Sequence, residues 1–199
     1  MSALPRVLAR LAADLRAQNA PFAMVGGLAV SVRAEPRFTR DIDLAVAVAN
    51  DSEAEALVRS LASHGYRLLA QAEHDRGRLA TVRIAPPAAC EAPEGLIVDL
   101  LFASSGIEAD IVRRADVLEV FPAVALPVAR LGDLLALKVL AAEPRRPQDR
   151  TDASVLLGRA TASDVEDARA ALRLITDRGF ARGKDLERDF DQWLGAEGP

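Results

Sequence analysis

The sequence has a single cysteine and no long apolar run. Cys90 cannot form a disulfide within one chain, which is typical of proteins from a reducing compartment. No stretch is long and apolar enough to span a membrane, and residues 1–19 lack the apolar core of a secretory signal. We therefore expect a cytoplasmic protein that does not contact a membrane.

Positive charge is also in short supply. The chain has 25 Lys and Arg residues against 29 Asp and Glu residues, which gives a net charge of −4. This balance argues against a broad nucleic-acid-binding surface, but it is compatible with a local basic groove. Arginine dominates the basic residues, since the only lysines are Lys138 and Lys184.

Two common nucleotide-binding motifs are missing. There is no G-x-G-x-x-G and no G-x-x-x-x-G-K-[ST], so neither a dinucleotide-binding fold nor a P-loop is indicated. The sequence does contain Gly26-Gly27, between a predicted strand at 22–25 and a predicted short helix at 28–32. Glycine lets the backbone approach a phosphate, and a helix N-terminus offers free N–H groups to an anion. Glycine pairs also end strands for turn geometry alone, so this signal is weak by itself.

Three acids interrupt predicted strands. Asp41 and Asp43 lie two residues apart, so their side chains project from the same face of a strand. Asp99 is the only charge in the apolar run 96–102. Carboxylates this close repel one another unless a cation lies between them, and hard divalent cations prefer oxygen ligands. The three acids therefore predict a site for two Mg²⁺ ions, with Mn²⁺ as the alternative ion.

Simpler roles exist for some of these residues. Asp41 alone is also explained by a helix cap or by an ion pair with Arg37 or Arg40. Lys138 is the only charge between residues 134 and 142 of a predicted apolar helix, where it either reaches out to water or meets an anion. Asp152 is expected to orient Lys138 or a substrate hydroxyl, or else to be a solvated or capping acid.

The order of predicted elements indicates an α+β protein. Strands and helices alternate through residues 1–128, which predicts a catalytic core built on a mixed sheet flanked by helices. Residues 129–199 are predicted to form a C-terminal helical lobe. Ser52 with Glu55, and Ser163 with Glu166, match the capping-box pattern of a helix start. The segment 117–128 is expected to be extended around Pro122.

Together these motifs resemble the nucleotidyltransferases of the DNA polymerase beta superfamily. The resemblance rests on Gly26-Gly27, a short helix, Asp41-Ile42-Asp43 and Asp99 on a later strand. The segment 37–40 and a downstream group of charged residues resemble more specifically the AbiEii-type nucleotidyltransferases, known as toxins of type IV toxin–antitoxin systems. The resemblance covers about residues 20–160, and its downstream members are Lys138, Arg145, Arg146, Asp149, Arg150 and Asp152.

The resemblance implies a nucleotidyltransferase-like fold and a specific reaction. A nucleoside monophosphate would pass from an NTP to a hydroxyl, with release of pyrophosphate. The implied acceptor is an RNA 3′ end, of tRNA before others, and the implied protein partner is an antitoxin. Small-molecule nucleotidyltransferases of the aminoglycoside or lincosamide type, and a noncatalytic nucleotide-binding partner protein, remain alternatives. The implied catalytic metal ligands are Asp41, Asp43 and Asp99, and the implied nucleotide-binding residues are Gly26, Gly27, Arg37, Arg40, Lys138 and Asp152.

Overall fold

The structure is a computed structural model that describes residues 3–39, 41–74, 77–93, 95–143, 145 and 147–196. Arg40, which was expected at the nucleotide, lies outside the described residues, and so does Arg146.

Strands and helices alternate along the first half of the chain, as the sequence predicts. A short 3₁₀ helix, Ala88–Cys90, interrupts the long loop before the fifth strand. The elements are α1 (Ala3–Ala17), β1 (Phe22–Val25), α2 (Gly26–Arg33), β2 (Asp41–Val46), α3 (Asp51–Ser63), β3 (Arg67–Glu73), β4 (Leu79–Ala85) and β5 (Ile97–Leu101).

The second half is mainly helical. Its only strands among the described residues form one hairpin, and four helices follow it. The elements are α4 (Glu108–Arg114), β6 (Asp116–Phe121), β7 (Val124–Val128), α5 (Leu131–Ala141), α6 (Pro147–Leu157), α7 (Ala162–Asp177) and α8 (Leu186–Ala196). No helix in the described part of the chain is long and apolar enough to cross a membrane.

The strands of the described residues form one mixed seven-stranded sheet in the order β3-β4-β5-β2-β1-β7-β6. Strand β2 lies at the centre, parallel to β5 and antiparallel to β1. Strand β1 is parallel to β7, while β3, β4 and β5 are antiparallel to one another in turn. This mixed sheet flanked by helices confirms the predicted α+β fold class.

The alternation along β2 explains how acids enter a buried strand. Ile42 and Leu44 are completely buried in the core, whereas Asp41 is exposed and Asp43 is only partly buried on the other face. Successive side chains of a strand point to opposite faces. One face of the central strand therefore stabilises the core, and the other carries charge toward a cleft.

The helices after residue 128 pack closely on one another and on the core. Gly132 of α5 lies against the start of α7, where a Cβ on Gly132 would come within 2.7 Å of the carbonyl oxygen of Asp164. Only glycine fits between helices at that spacing. Leu134, Leu135 and Val139 of α5 are buried in the same hydrophobic core as the sheet. The division of the chain near residue 128 stays a prediction from sequence.

Two details of the sequence prediction are wrong. The capping residue of α3 is Asn50, whose side chain accepts a hydrogen bond from the backbone N–H of Glu53, and not Ser52. The capping box of α7 is likewise formed by Thr161 with Asp164, and not by Ser163. At each of these helices, another polar residue lies two positions before the predicted cap and has an acid three positions after it. The helix begins at that earlier residue.

The segment 117–128, predicted to be extended around Pro122, forms a hairpin. The chain reverses at Pro122 and Ala123, and Ala123 has a φ of 65°. The Glu119 carboxylate accepts a hydrogen bond of 3.0 Å from the Ala123 N–H, which stabilises this turn.

Candidate active site

Gly26 and Gly27 are the first two residues of α2, directly after β1, and are packed against two charged side chains. Gly26 has a φ of 64°, which glycine adopts without steric cost. A Cβ on Gly26 would overlap the Asp43 carboxylate, and one on Gly27 would overlap the Arg37 guanidinium. The Gly27 N–H favours the charged form of the neighbouring Asp43 carboxylate. The two glycines therefore bring a carboxylate and a guanidinium up to a helix N-terminus.

The sheet register brings two of the predicted acids side by side. Asp43 of β2 is the register partner of Asp99 on the parallel strand β5. Asp99 is in turn the register partner of Arg83 on the antiparallel strand β4. Register partners on adjacent strands project from the same face of a sheet. Asp43, Asp99 and Arg83 thus form one row across three strands, and Asp41 adds a further carboxylate on that face.

Asp99 is held by a two-point ion pair with Arg83. The Arg83 Nε donates to one Asp99 carboxylate oxygen at 2.8 Å, and Nη2 donates to the other at 2.8 Å. Bonding to Asp99, reinforced by the charges of Asp41 and Asp43, raises the pKa of the Arg83 guanidinium. Arg83 thus compensates part of the negative charge of this group of acids.

Asp43 is in an unfavourable environment for a charged carboxylate. Burial is the main cause and the Asp99 carboxylate is the next, and together with Asp41 they raise the pKa of Asp43 to about 6. Lys138 and the Gly27 N–H act in the opposite direction. The charge that accumulates here favours a bound cation.

A second charged group lies on α5 and α6. The Lys138 ammonium contacts Asp149 at 2.9 Å and Asp152 at 2.7 Å. Arg37 contacts the same Asp152 carboxylate at 2.8 Å, and Gln148 donates to it at 2.8 Å. Burial disfavours the charged form of Asp152, but the bonds from Lys138 and Gln148 outweigh this and lower its pKa.

Lys138 therefore does not extend into water as the simpler sequence interpretation supposed. It is mostly buried and lies between two buried carboxylates. The expectation that Asp152 orients Lys138 agrees with this contact. Asp152 itself is not on the cavity wall, whereas Lys138, Gln148 and Asp149 are.

Both charged groups face one cavity of about 450 Å³. That volume is in the range of small-molecule sites. The sheet supplies the three acids and Arg83, the turn supplies Gly26 and Gly27, and α5 and α6 supply Lys138, Gln148 and Asp149. Among the described residues, every site residue predicted from the sequence lines this cavity except Asp152. The residues that line it are Gly26, Gly27, Arg37, Asp41, Asp43, Asp99 and Lys138.

A second, open groove of about 530 Å³ adjoins this cavity. The two share Thr81, Ser104 and Arg182. Arg182 donates hydrogen bonds to the carbonyl and hydroxyl oxygens of Ser104 at 3.0 and 3.3 Å, and it forms no ion pair with the described residues. Its guanidinium therefore lies where the cavity and the groove meet.

Sequence reasoning missed Arg83 and Arg182. Arg83 had a weak signal, because Thr81 and Arg83 alternate with the buried Val82 and Ile84 and so occupy a polar strand face. Arg182 had none, since it lies in the connection between α7 and α8, far from the motifs in sequence.

Arg33 and Arg150 lie away from the cavity and bind other groups. Arg33 binds Asp116 at 2.8 Å together with two backbone carbonyls. Arg150 lies 6.0 Å from the Trp193 ring. Neither is among the residues that line the cavity or the adjoining groove.

The carboxylates fit a divalent cation in chemistry and only in part in geometry. Asp41 and Asp43 offer oxygen ligands on one face, as Mg²⁺ and Mn²⁺ require. Asp99 offers its oxygens to Arg83 instead. Across the described ranges, no group of three or more acidic, histidine or cysteine side chains is arranged to hold a metal ion.

Three solved structures match this chain at low sequence identity, and the first resembles it in fold. An antigenic nucleotidyltransferase-like protein from Paracoccidioides brasiliensis matches with a TM-score of 0.52 and 15% identity, over 94% of this chain and 92% of its own. The lincomycin-bound lincosamide adenylyltransferase LnuA matches at 0.49 and 13%, over 77% of this chain and 96% of its own. The antibiotic-resistance factor ANT(2'')-Ia matches at 0.49 and 19%, over 98% of this chain and 92% of its own.

No curated protein sequence is significantly similar to this one. One family profile does match, that of the nucleotidyl transferase AbiEii toxin of type IV toxin–antitoxin systems, and it spans residues 6–192. That match includes every described residue of the cavity. The chain therefore belongs to the AbiEii nucleotidyl transferase toxin family and is a nucleotidyltransferase.

Proposed function

We propose that the chain is a metal-dependent toxin that transfers a nucleoside monophosphate from an NTP to the 3′ hydroxyl of tRNA, and that an antitoxin protein restrains it. One observation carries the proposal. A single cavity combines three carboxylates on a sheet face with a glycine turn at a helix N-terminus and with Lys138 and Arg37.

The carboxylates are the reaction centre of this proposal. Asp41 and Asp43, with Asp99 as a third carboxylate, would hold Mg²⁺ or Mn²⁺, which when bound activates a hydroxyl and stabilises the charge on a leaving phosphate. The acceptor oxygen attacks the α-phosphorus, and the bond from that phosphorus to the oxygen bridging to the β-phosphate breaks. Pyrophosphate leaves with the electron pair, and the hydroxyl proton goes to the Asp99 carboxylate.

The other side of the cavity holds the triphosphate. The free N–H groups at the start of α2 and the charges of Lys138 and Arg37 are suited to phosphate oxygens. Asp152 contacts both cations, so we assign it a positioning role. Arg40 keeps its predicted role as a further nucleotide-binding residue.

The acceptor enters through the adjoining groove. This groove meets the cavity at Arg182, whose charge suits the phosphate backbone of an RNA end. Because the chain is acidic overall, such a local charge must supply the RNA contact. The family assignment favours catalysis over the noncatalytic alternative.

The test is transfer of label from each α-labelled NTP, with Mg²⁺, to either total tRNA or a panel of aminoglycosides and lincosamides. We expect label on tRNA, and none after periodate oxidation of the 3′ end. Arg182→Ala should reduce labelling, and Asp43→Asn should abolish it. Glu55→Gln, on the exposed face of α3, is the matched control and should behave as the wild type. Label on an antibiotic and not on tRNA would refute the tRNA assignment and establish a small-molecule acceptor.

A further inference from the structure

The ion pair between Arg83 and Asp99 conflicts with the role assigned to Asp99. Both carboxylate oxygens of Asp99 are bound by Arg83 at 2.8 Å. A carboxylate that offers its oxygens to a guanidinium offers little to a metal ion.

The two partners are anchored very differently. Asp99 lies on an inner strand with 12% of its side chain exposed, whereas 47% of the Arg83 side chain is exposed. Arg83 also lines the same cavity as the three acids. The Arg83 guanidinium can therefore move away from Asp99 and stay in the solvent-exposed cavity, whereas the Asp99 side chain is too buried to move with it.

We propose that Arg83 is an exchangeable counter-ion of the reaction centre. In the metal-free protein it neutralises Asp99, and when metal and NTP enter together it releases Asp99 to the metal and pairs with a nucleotide phosphate. This inference rests on the function proposed above and adds a residue to it.

Charge compensation in the site is the physical reason for the exchange. A guanidinium and a divalent cation compete for the same carboxylate lone pairs, so each weakens the binding of the other. The incoming triphosphate supplies a new anion at the moment Asp99 is released. Guanidinium groups bind phosphate oxygens in the same two-point manner as carboxylates, so Arg83 exchanges one such partner for another.

A purely structural ion pair would behave otherwise. Loss of Arg83 would then lower stability and leave metal affinity unchanged. Exchange predicts opposite effects on two ligands, since removal of Arg83 strengthens metal binding and weakens nucleotide binding. No general loosening of the fold produces this pair of changes.

The experiment measures Mn²⁺ binding by electron paramagnetic resonance, without nucleotide, for the wild type, Arg83→Gln and Arg83→Lys. We expect Arg83→Gln to lower the Mn²⁺ dissociation constant about tenfold, which corresponds to ~1.4 kcal/mol. Arg83→Lys should lie between the two, since lysine keeps the charge without the two-point geometry. It also provides the measurement should Arg83→Gln fail to fold. With Mn²⁺ present, nucleotide affinity should be highest for the wild type, lower for Arg83→Lys and lowest for Arg83→Gln.

Arg78→Gln is the matched control. Arg78 has 45% of its side chain exposed and pairs with Asp51, and it does not line the cavity. Its loss removes the same charge from the protein, and screening should limit the change in Mn²⁺ affinity to about twofold or less.

The outcomes separate this inference from the proposed function. If the wild type binds Mn²⁺, Asp43→Asn does not, and Arg83→Gln shows unchanged Mn²⁺ or nucleotide affinity, then the exchange is refuted and the metal site stands. If the wild type binds no Mn²⁺ at all, the metal site fails and the exchange fails with it.

Discussion

Replacing Asp43 by asparagine should abolish activity and stabilise the metal-free protein. Asparagine keeps the shape of the side chain and still presents an oxygen to the Gly27 N–H. It removes a charge that burial and the neighbouring carboxylates disfavour, as shown by the rise in the pKa of Asp43 to about 6. The stability gained is therefore the penalty for ionising this carboxyl group in the folded protein.

The pKa gives the size of that penalty and its pH dependence. Because the pKa of Asp43 rises on folding from 3.8 to about 6, the folded chain holds the proton more tightly than the unfolded chain. Wild-type stability therefore falls as the pH rises through this interval, and the full loss above it is about 3 kcal/mol. Asparagine does not titrate, so its advantage should be about 3 kcal/mol at pH 7.5 and only about 1 kcal/mol at pH 4.5.

The assay is urea unfolding in EDTA at both pH values. Saturating Mn²⁺ should stabilise the wild type and not the variant, since a ligand at a hundredfold its dissociation constant contributes about 2.7 kcal/mol. Asp51→Asn, on an acid outside the cavity, is the control. A variant that is less stable than the wild type at pH 7.5, or equally stabilised at both pH values, would show that Asp43 is not a disfavoured charge.

Two further substitutions test the cavity walls. Lys138→Met should lower the free energy of unfolding by about 3 kcal/mol, because it removes a cation from two buried carboxylates. Urea unfolding should show part of that loss restored by adding Asp149→Asn, and a single variant as stable as the wild type would contradict the importance of these ion pairs. Gly26→Ala should abolish nucleotidyl transfer because a Cβ there displaces the Asp43 carboxylate. Gly77 is the control, because it has a similar φ of 73° and open space around it. Gly77→Ala should cost only the ~1 kcal/mol of backbone strain. Equal activities of the two alanine variants would argue against a steric role for Gly26.

The parts of the site that were predictable depend on local spacing. Two acids at positions 41 and 43 must share a strand face, and a glycine pair between a strand and a helix must form a turn. These patterns, with Asp99 alone in an apolar strand, predicted residues that line one cavity. The helical and strand segments were predictable for the same reason, because their periodicity is contained in a few residues.

The unpredicted parts depend on contacts between distant segments. Whether Arg83 meets Asp99 is decided by the register of β4 on β5, which neither strand encodes alone. The pairing of Arg37 with Asp152 joins residues 115 positions apart. The starts of α3 and α7 were misplaced because two overlapping capping patterns compete at each, and sequence alone does not rank them.

Asp152 has a consequence for how this chain can be divided. Its single carboxylate joins Arg37, which precedes the central strand, to Lys138, which lies on α5. A segment ending at residue 128 would keep the three acids and the glycine turn. It would lose Lys138 and Asp149 from the cavity and leave Arg37 without its carboxylate. Under the proposed function, a shortened protein would retain the carboxylates but lose Lys138, one of the residues proposed to hold the triphosphate. Residues 129–199 therefore form part of the cavity wall and are not a separate accessory to it.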